Sequence, residues 1–271
     1  MTTATVTAGP TAATAPASRP FKTIRHSAAL AKRSLLKTMR TPEALLDVTL
    51  QPVIFLLLFT YVFGGAIAGS QSVYLQYLLP GILAQTIAMS ATAIGVNLNT
   101  DISKGVFDRF RSLPIARSAP LVGAVLADFV RYALVAVITL SVGYAMGFRI
   151  HTDPFQAGAA LLLAATFALA LSWVSVWLGM VARTPGSVQG FMILLVLPLS
   201  FGSNTFVQTN TLPGWMQGFV NVNPITHLAG VSRSLFLGGP VTSHLLWTIG
   251  WIIGVTAVFM PLALRAYGRK V

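Results

Sequence analysis

The chain has 271 residues, of which 55% are hydrophobic and only 9% are charged, and its mean hydropathy is +0.75. About a quarter of the residues in a soluble domain are charged, so no water-soluble fold could bury this much apolar surface. The formal net charge of +12 does not indicate nucleic-acid binding, because the basic residues lie between long apolar runs rather than on one patch. With no cysteine, a disulfide framework, a thiolate metal site and a cysteine nucleophile are excluded.

The amino-terminal region divides into two segments. Residues 1–20 are mostly small and uncharged, a composition that predicts a disordered cytosolic tail. Residues 21–40 predict an amphipathic helix, since apolar side chains fall on one side of a helical wheel and six basic side chains on the other. Such a helix lies in the membrane interface with its cations near anionic lipid headgroups. It serves as a topology anchor, as a contact for a cytosolic partner, or as both.

Six apolar stretches approach the roughly 20 residues that a membrane-spanning helix needs. The predicted spans are approximately 48–68, 78–98, 121–148, 155–181, 188–203 and 245–264. The fifth is the shortest, and Pro198 within it predicts a kink or a break. The connection 204–244 predicts short interfacial or re-entrant helices near 215–220 and 225–237. The expected fold is therefore all-α with six transmembrane helices.

The positions of Lys and Arg predict the orientation, because cytoplasmic loops of membrane proteins are enriched in both. Fifteen of the 18 basic residues lie on the side that holds both termini and the connections after the second and fourth predicted spans. Arg149 and Arg233 lie on the other side, and Arg131 lies within a span. Both termini are therefore expected in the cytoplasm.

The third predicted span contains an acid and a base. Asp128 and Arg131 are three residues apart, close enough to pair on one helix face. An intramembrane acid is a functional candidate by default, and it could relay protons in a secondary transporter. Alternatively the two form a structural pair, because Arg131 can extend to the cytoplasmic interface about three turns away.

Two weaker patterns concern helix packing. Gly-x-x-x-Gly spacings begin at Gly65, Gly143 and Gly250 and permit close helix approach, although glycine is common in membrane helices. Aromatic side chains of the first span could line a route for an amphipathic compound, but packing or lipid contact is the simpler interpretation. They are Phe55, Phe59, Tyr61 and Phe63.

No pattern supports catalysis or nucleotide binding. The sequence lacks the G-x-x-x-x-G-K-[ST] phosphate loop and the H-E-x-x-H and G-x-S-x-G motifs. Its six acids are too scattered to hold magnesium, and the four histidines lack metal-ligand spacing. We expect no catalytic site, metal or cofactor on this chain, and no substrate-binding residue can be named from the sequence.

The connection between the second and third spans carries the most informative pattern. Thr100 or Asp101 can cap a short helix that Pro114 ends. Apolar residues at i, i+4 spacing share one face of that helix, and mixed charges lie on the other. The pattern predicts an amphipathic helix on the cytoplasmic surface.

The same connection carries a family resemblance. The run DISKGVFDRFRSLPIAR from Asp101, followed after one residue by APLVGAVLAD, resembles the first cytoplasmic loop of ABC-2-type transporter permeases. It is most similar to the daunorubicin/doxorubicin-resistance permeases of actinobacteria. FTYVFGGAIAGS from Phe59, LPGIL from Leu79, LPGWM from Leu212 and NPITHL from Asn223 agree. The likeness identifies residues 41–271 as an ABC-2 transmembrane domain.

The resemblance implies a subunit of a bacterial plasma membrane transporter that pairs with a second copy of itself among the membrane lipids. It also implies two copies of a separate ATP-binding cassette ATPase, which would hold ATP and magnesium. In that family the docking surface comprises the interfacial helix, here 21–40, and a coupling helix, here about 101–113. The coupling contacts carried over to this sequence are Phe107, Asp108, Arg109, Phe110 and Arg111.

The expected function is ATP-driven export of a hydrophobic or amphipathic small molecule, such as a drug or an antibiotic. One alternative is an ABC-2 permease for a lipid or a lipid-linked glycan. Another is a proton-coupled secondary transporter that uses Asp128. A membrane enzyme is disfavoured because the sequence offers no catalytic pair.

Overall fold

The computed structural model describes residues 42–105 and 119–270, and every regular element in these two ranges is helical. The predicted tail, the predicted interfacial helix and the coupling residues from Phe107 to Arg111 lie outside the described residues. The α-helices of the described ranges are, in chain order, α1 (Pro42–Leu58), α2 (Gly64–Ala68), α3 (Gln71–Ser90), α4 (Thr92–Ser103), α5 (Ala119–Ala145), α6 (Pro154–Val181), α7 (Pro185–Phe201), α8 (Gly214–Val222), α9 (Pro224–Leu237) and α10 (Thr242–Lys270).

Five helical stretches of the described chain are long and apolar enough to cross a membrane. They are Leu50–Ala68, Gln71–Ser103, Asp128–Ala145, Pro154–Val181 and Thr242–Arg269. Each overlaps one predicted span, which confirms the all-helical membrane class. The remaining predicted span corresponds to α7, an apolar helix of only 17 residues. Pro198 lies inside α7 and does not end it. A sixth span at α7 stays a prediction.

The centre of the helix bundle is the crossing of α4 over α6. The Gly95 amide donates to Ser175 Oγ (3.1 Å), and Ser175 Oγ donates to the Thr92 carbonyl (2.8 Å). One turn further along, Asn99 Nδ2 donates to the Gly179 carbonyl (2.9 Å). These hydrogen bonds join two helices inside an apolar core, where an unpaired polar group would be costly. They fix the position of α4 relative to α6.

Glycine at two positions allows the two backbones to come this close. A Cβ atom added to Gly95 would lie 2.1 Å from the Ser175 carbonyl oxygen, and one added to Gly179 would lie 2.6 Å from the Gly95 carbonyl oxygen. The three Gly-x-x-x-Gly spacings contain six glycines, and they form no such backbone crossing within the described chain. Gly143 packs on the Leu79 side chain. No neighbouring atom lies within 4 Å of a Cβ added to Gly65, Gly69, Gly147, Gly250 or Gly254.

The second span extends further than the sequence predicted. Thr100 and Asp101 do not cap a new helix, because they lie in the last turn of α4, where Thr100 Oγ1 donates to the Val96 carbonyl (2.8 Å). Leu98 and Ile102 keep this part of α4 packed in the core, which explains the continuation. The prediction of a helix start at Thr100 or Asp101 is therefore wrong.

The connection 204–244 contains both predicted helices, here α8 and α9. Asn223 Oδ1 accepts a hydrogen bond from the Ile225 amide (2.9 Å), and Pro224 occupies the first turn of α9. An asparagine cap followed by proline is a favoured helix start. Every residue of α9 from Pro224 to Ser232 is buried. The helix packs against α3, α6 and α10 and is part of the bundle rather than a surface excursion.

We expect Gly95→Ala to lower the free energy of unfolding by about 3 kcal/mol or more, because its methyl group would overlap backbone atoms of α6 that cannot move away. Thermal unfolding in detergent measures the effect. Gly250→Ala is the matched control and should unfold as the wild type does. Equal stability of the two variants would contradict the close crossing of α4 and α6.

Candidate functional site

A cleft of about 450 Å³ opens between the first span, the second span and α7. Four of its lining side chains are amides, Gln51, Gln85, Asn97 and Gln189. Three more carry hydroxyl groups, Thr86, Ser90 and Thr92. None of the described residues that line the cleft carries a charge. This concentration of neutral polar groups lies among helices that are otherwise apolar, and the volume falls in the range of small-molecule sites.

Gln85 is the most unusual of these side chains. Only 3% of the residue is exposed, and its Oε1 atom has no hydrogen-bond partner among the described residues. Buried polar side chains are normally paired, and an unpaired one costs about 1–3 kcal/mol. Gln85 therefore has unused hydrogen-bonding capacity at the wall of the cleft.

An ion pair lies behind the same wall. The second span changes from α3 to α4 at Ala91, beside the lining residues Ser90 and Thr92. Arg131 Nη2 donates to the Ser90 carbonyl (3.0 Å) and lies 3.1 Å from Asp128 Oδ1. The final carbonyls of a helix lack partners within that helix, so Arg131 supports α3 where it ends. Asp128 supplies the countercharge that a largely buried arginine needs.

Residues 202–208 pack against α3 beyond the cleft, and we call them the closing segment. Tyr74 Oη donates to the Phe206 carbonyl (2.9 Å), and Tyr77 Oη donates to the Asn204 carbonyl (2.7 Å). Both tyrosines belong to α3, about two to three turns before Gln85. The segment also packs tightly, because a Cβ atom added to Gly81 would lie 2.9 Å from Thr205.

Arg233 of α9 joins the closing segment to α3. Its guanidinium group lies 3.9 Å from the centre of the Tyr77 ring. Arg233 Nε donates to the Tyr77 carbonyl (3.1 Å), and Nη2 donates to the Asn204 carbonyl (3.3 Å). Asn223 Nδ2 adds a hydrogen bond to the Gly202 carbonyl (2.8 Å). These side chains satisfy the irregular backbone of the closing segment without water, as an apolar environment requires.

Aromatic rings of the first span connect the cleft to the closing segment. Phe55 lines the cleft and meets Phe59 edge to face, with ring centres 6.1 Å apart. Phe59 in turn lies 4.4 Å from the ring of Phe206. Tyr61 and Phe63 are exposed, and the Phe63 ring lies 5.4 Å from that of Phe59. The four aromatics of this span therefore divide between the cleft, the closing segment and the outer surface.

The pattern of the ABC-2 type transporter family matches residues 26–237, which is more than half of the chain. The chain belongs to the ABC-2 type transporter family. The daunorubicin resistance ABC transporter permease protein DrrB1 of Streptomyces coeruleorubidus is 41% identical over 258 residues, covering 93% of this chain and 90% of the relative. The doxorubicin resistance ABC transporter permease protein DrrB of Mycobacterium tuberculosis is 28% identical over 172 residues, covering 64% and 60%.

Membership of this family confirms the resemblance seen in the sequence and makes the chain an integral membrane permease subunit. Of the residues predicted for its sites, Asp128 and Arg131 are in contact, and the five coupling residues lie outside the described ranges. Sequence reasoning missed the amides of the cleft. Gln51, Gln85 and Gln189 are polar residues inside apolar runs, and that signal was available in the sequence.

A histidine pair holds α9 of the permease to α10. His227 Nε2 lies 2.9 Å from the Asn221 carbonyl, which can only accept, so this nitrogen carries the proton of the neutral ring. His227 Nδ1 is then the acceptor for His244 Nδ1, 3.2 Å away. The His227 ring also stacks on Trp247, with ring centres 5.1 Å apart. Burial lowers the pKa of His227, which favours the neutral ring that this arrangement requires.

Removing Arg131 should destabilise the permease more than neutralising Asp128. Arg131→Ala leaves a buried carboxylate unpaired, and breaking such a pair costs about 3 kcal/mol. Asp128→Asn keeps the hydrogen bond from Arg131 to Ser90 and should cost less. Denaturant unfolding of both variants in detergent measures the difference. A larger loss for Asp128→Asn would contradict a supporting role for Arg131.

Acid should weaken the permease through His227. Because the folded-state pKa lies below the ordinary value of about 6.5, this stabilisation is present above that pH and is lost as the pH falls below it. We expect a lower unfolding temperature at pH 5.5 than at pH 7.5, with a smaller difference in His227→Gln. The exposed His151→Gln is the control and should keep the wild-type difference. An unchanged pH dependence in His227→Gln would contradict this assignment.

Proposed function

We propose that this permease subunit exports a hydrophobic or amphipathic compound, with ATP hydrolysed by a separate subunit. The observation that carries the proposal is the polar cleft on one side of the bundle together with the closing segment beyond it. The relatives named for daunorubicin and doxorubicin resistance support a drug as the compound. The same cleft could instead take the polar part of a lipid-linked glycan, which is the alternative ABC-2 cargo.

The charge distribution supports the outward direction of transport in this proposal. Gln51 lies at the start of the first span, Asn97 near the end of the second, and Gln189 near the start of α7. With α7 counted as a sixth span and both termini in the cytoplasm, each of these ends faces the cytoplasm. The cleft then loads from the cytoplasm or the inner leaflet, and the closing segment seals the outer side. This arrangement is the resting state of an exporter.

The permease works as a pair in this proposal. Gln51, Asn97 and Gln189 are exposed on the single chain, although lipid tails offer amides no hydrogen bonds. A second copy facing them would enclose the cleft and form the pathway. Two copies of the ATPase subunit would hold ATP and magnesium and contact residues 21–40 and 101–113, with rocking of the two permease subunits opening the closing segments in turn.

In this proposal Asp128 stabilises the structure and does not carry protons. Its carboxylate is paired with Arg131, and neither side chain lines the cleft. A proton relay would need the carboxylate to face the route of the compound. The ion-pair geometry therefore favours the ATP-driven mechanism over a proton-coupled transporter.

The direct test is purification with the ATP-binding protein encoded beside this chain. We expect a complex whose ATPase activity rises with daunorubicin, and uptake of daunorubicin into inside-out vesicles that requires ATP. Phe107→Ala and Arg111→Ala should weaken the complex because both change the proposed docking surface. Arg149→Ala, on the opposite face, is the matched control and should leave the complex intact.

Two outcomes would overturn this proposal. One is the absence of any complex together with uptake that persists without ATP. The other is uptake driven by a proton gradient and lost in Asp128→Asn, which would favour the secondary transporter. The ATP-driven mechanism expects the folded Asp128→Asn variant to retain its activity.

A further inference from the structure

The amide of Gln85 distinguishes this cleft from an ordinary gap between helices. Some buried polar groups of the bundle have evident structural partners, such as Asn99 Nδ2 with Gly179 and Asn223 Nδ2 with Gly202. Gln85 makes no hydrogen bond to any described residue, although it is almost fully enclosed. A side chain that served only to hold the fold would be better replaced by an apolar one of the same length. The amide of Gln85 is therefore available for a hydrogen bond to a group outside the described chain.

The lining of the cleft defines the chemistry of that partner. Amides both donate and accept, and the hydroxyl groups of Thr86 and Thr92 do the same. Among the described residues, no carboxylate, ammonium or guanidinium group lies in the lining. Phe55, Met89 and Ile193 supply apolar surface beside these polar groups. The described surface is complementary to an apolar ring system that carries hydroxyl and carbonyl groups and no charge.

Two simpler occupants fit less well. A lipid acyl chain could fill the volume, but it would leave all four amides of the cleft without hydrogen bonds. An ionised group of a compound would enter a site with no opposite charge, and burial of an unpaired ion is far more costly than burial of an amide. The neutral, oxygen-rich part of an amphipathic compound avoids both costs.

We propose that the cleft binds the uncharged, hydroxyl- and carbonyl-bearing ring system of the transported compound, and that Gln85 determines this specificity through its terminal amide. The inference rests on the proposed function, since it concerns the compound that the exporter carries. Gln85 belongs to the second span one turn from Gly81, which contacts Thr205 of the closing segment. A compound bound at Gln85 thus lies directly below the closed side of the bundle.

The test measures daunorubicin binding to the purified complex in lipid nanodiscs, by fluorescence. Gln85→Met keeps the length of the side chain and removes its amide. We expect its affinity for daunorubicin to fall about five- to ten-fold, the value of one good hydrogen bond. Its unfolding temperature should equal or exceed that of the wild type, because an unpaired buried amide is gone. Gln156→Met, exposed and outside the cleft, is the matched control and should bind as the wild type does.

A second probe separates hydrogen bonding from charge. N-acetyl daunorubicin lacks the ammonium group and keeps the ring oxygens. We expect the Gln85→Met substitution to lower the affinity for N-acetyl daunorubicin by the same factor as the affinity for daunorubicin. Should N-acetylation itself weaken wild-type binding more than the substitution does, the assignment of an uncharged ligand face would be overturned. Gln85→Leu provides the same comparison if Gln85→Met does not fold.

The remaining outcomes separate this inference from the proposed function. Unchanged daunorubicin affinity in Gln85→Met, with ATPase stimulation retained, would overturn the role of Gln85 and leave the exporter assignment standing. A lower unfolding temperature with unchanged affinity would make Gln85 a structural residue. If daunorubicin neither bound to the wild-type complex nor stimulated it, both proposals would fall.

Discussion

The close crossing of two backbones at Gly95 and Gly179 is the constraint on which the candidate site depends. In an α-helix, residues two apart point in nearly opposite directions. With Gly95 held against α6, Ala93 and Asn97 must therefore face away from α6, toward the cleft. The polar lining on α4 is thus a consequence of the contact on its other face. A side chain at Gly95 would separate the helices and rotate that lining out of position.

A second constraint, the need to pair backbone carbonyl groups, explains the role of several polar residues of the bundle. An apolar surrounding demands that every freed backbone carbonyl be paired within the protein. Arg131 serves this end at Ser90, and Tyr74, Tyr77, Arg233 and Asn223 serve it in and around the closing segment, residues 202–208. Once these are assigned, the amides of the cleft have no such structural task. Among the described residues that line the cleft, Gln85 has a buried polar atom without a hydrogen-bond partner.

The hydropathy of the chain predicts most of the fold and little of the site. Five spans follow from apolar length alone, and both short helices of the connection 204–244 follow from composition. The crossing at Gly95 does not, because Gly95 and Gly179 are 84 positions apart and only tertiary structure brings them together. For the same reason, local Gly-x-x-x-Gly spacing does not identify either glycine of this crossing. The predicted helix start at Thr100 is wrong because the core packing of Leu98 and Ile102 outweighs a local capping signal.

Neutral amides suit a cleft that must be empty for part of every cycle. A carboxylate there would bind a cationic compound more strongly, but after release it would be a buried charge without a partner, which costs far more than an unpaired amide. The amide costs about 1–3 kcal/mol when empty, a penalty that a bundle joined by the Gly95 contact can tolerate. It also binds weakly enough for the compound to leave. Within the described part of the bundle, Arg131 and Asp128 lie behind the wall and Arg233 lies at the closed side, where each is paired or hydrogen-bonded.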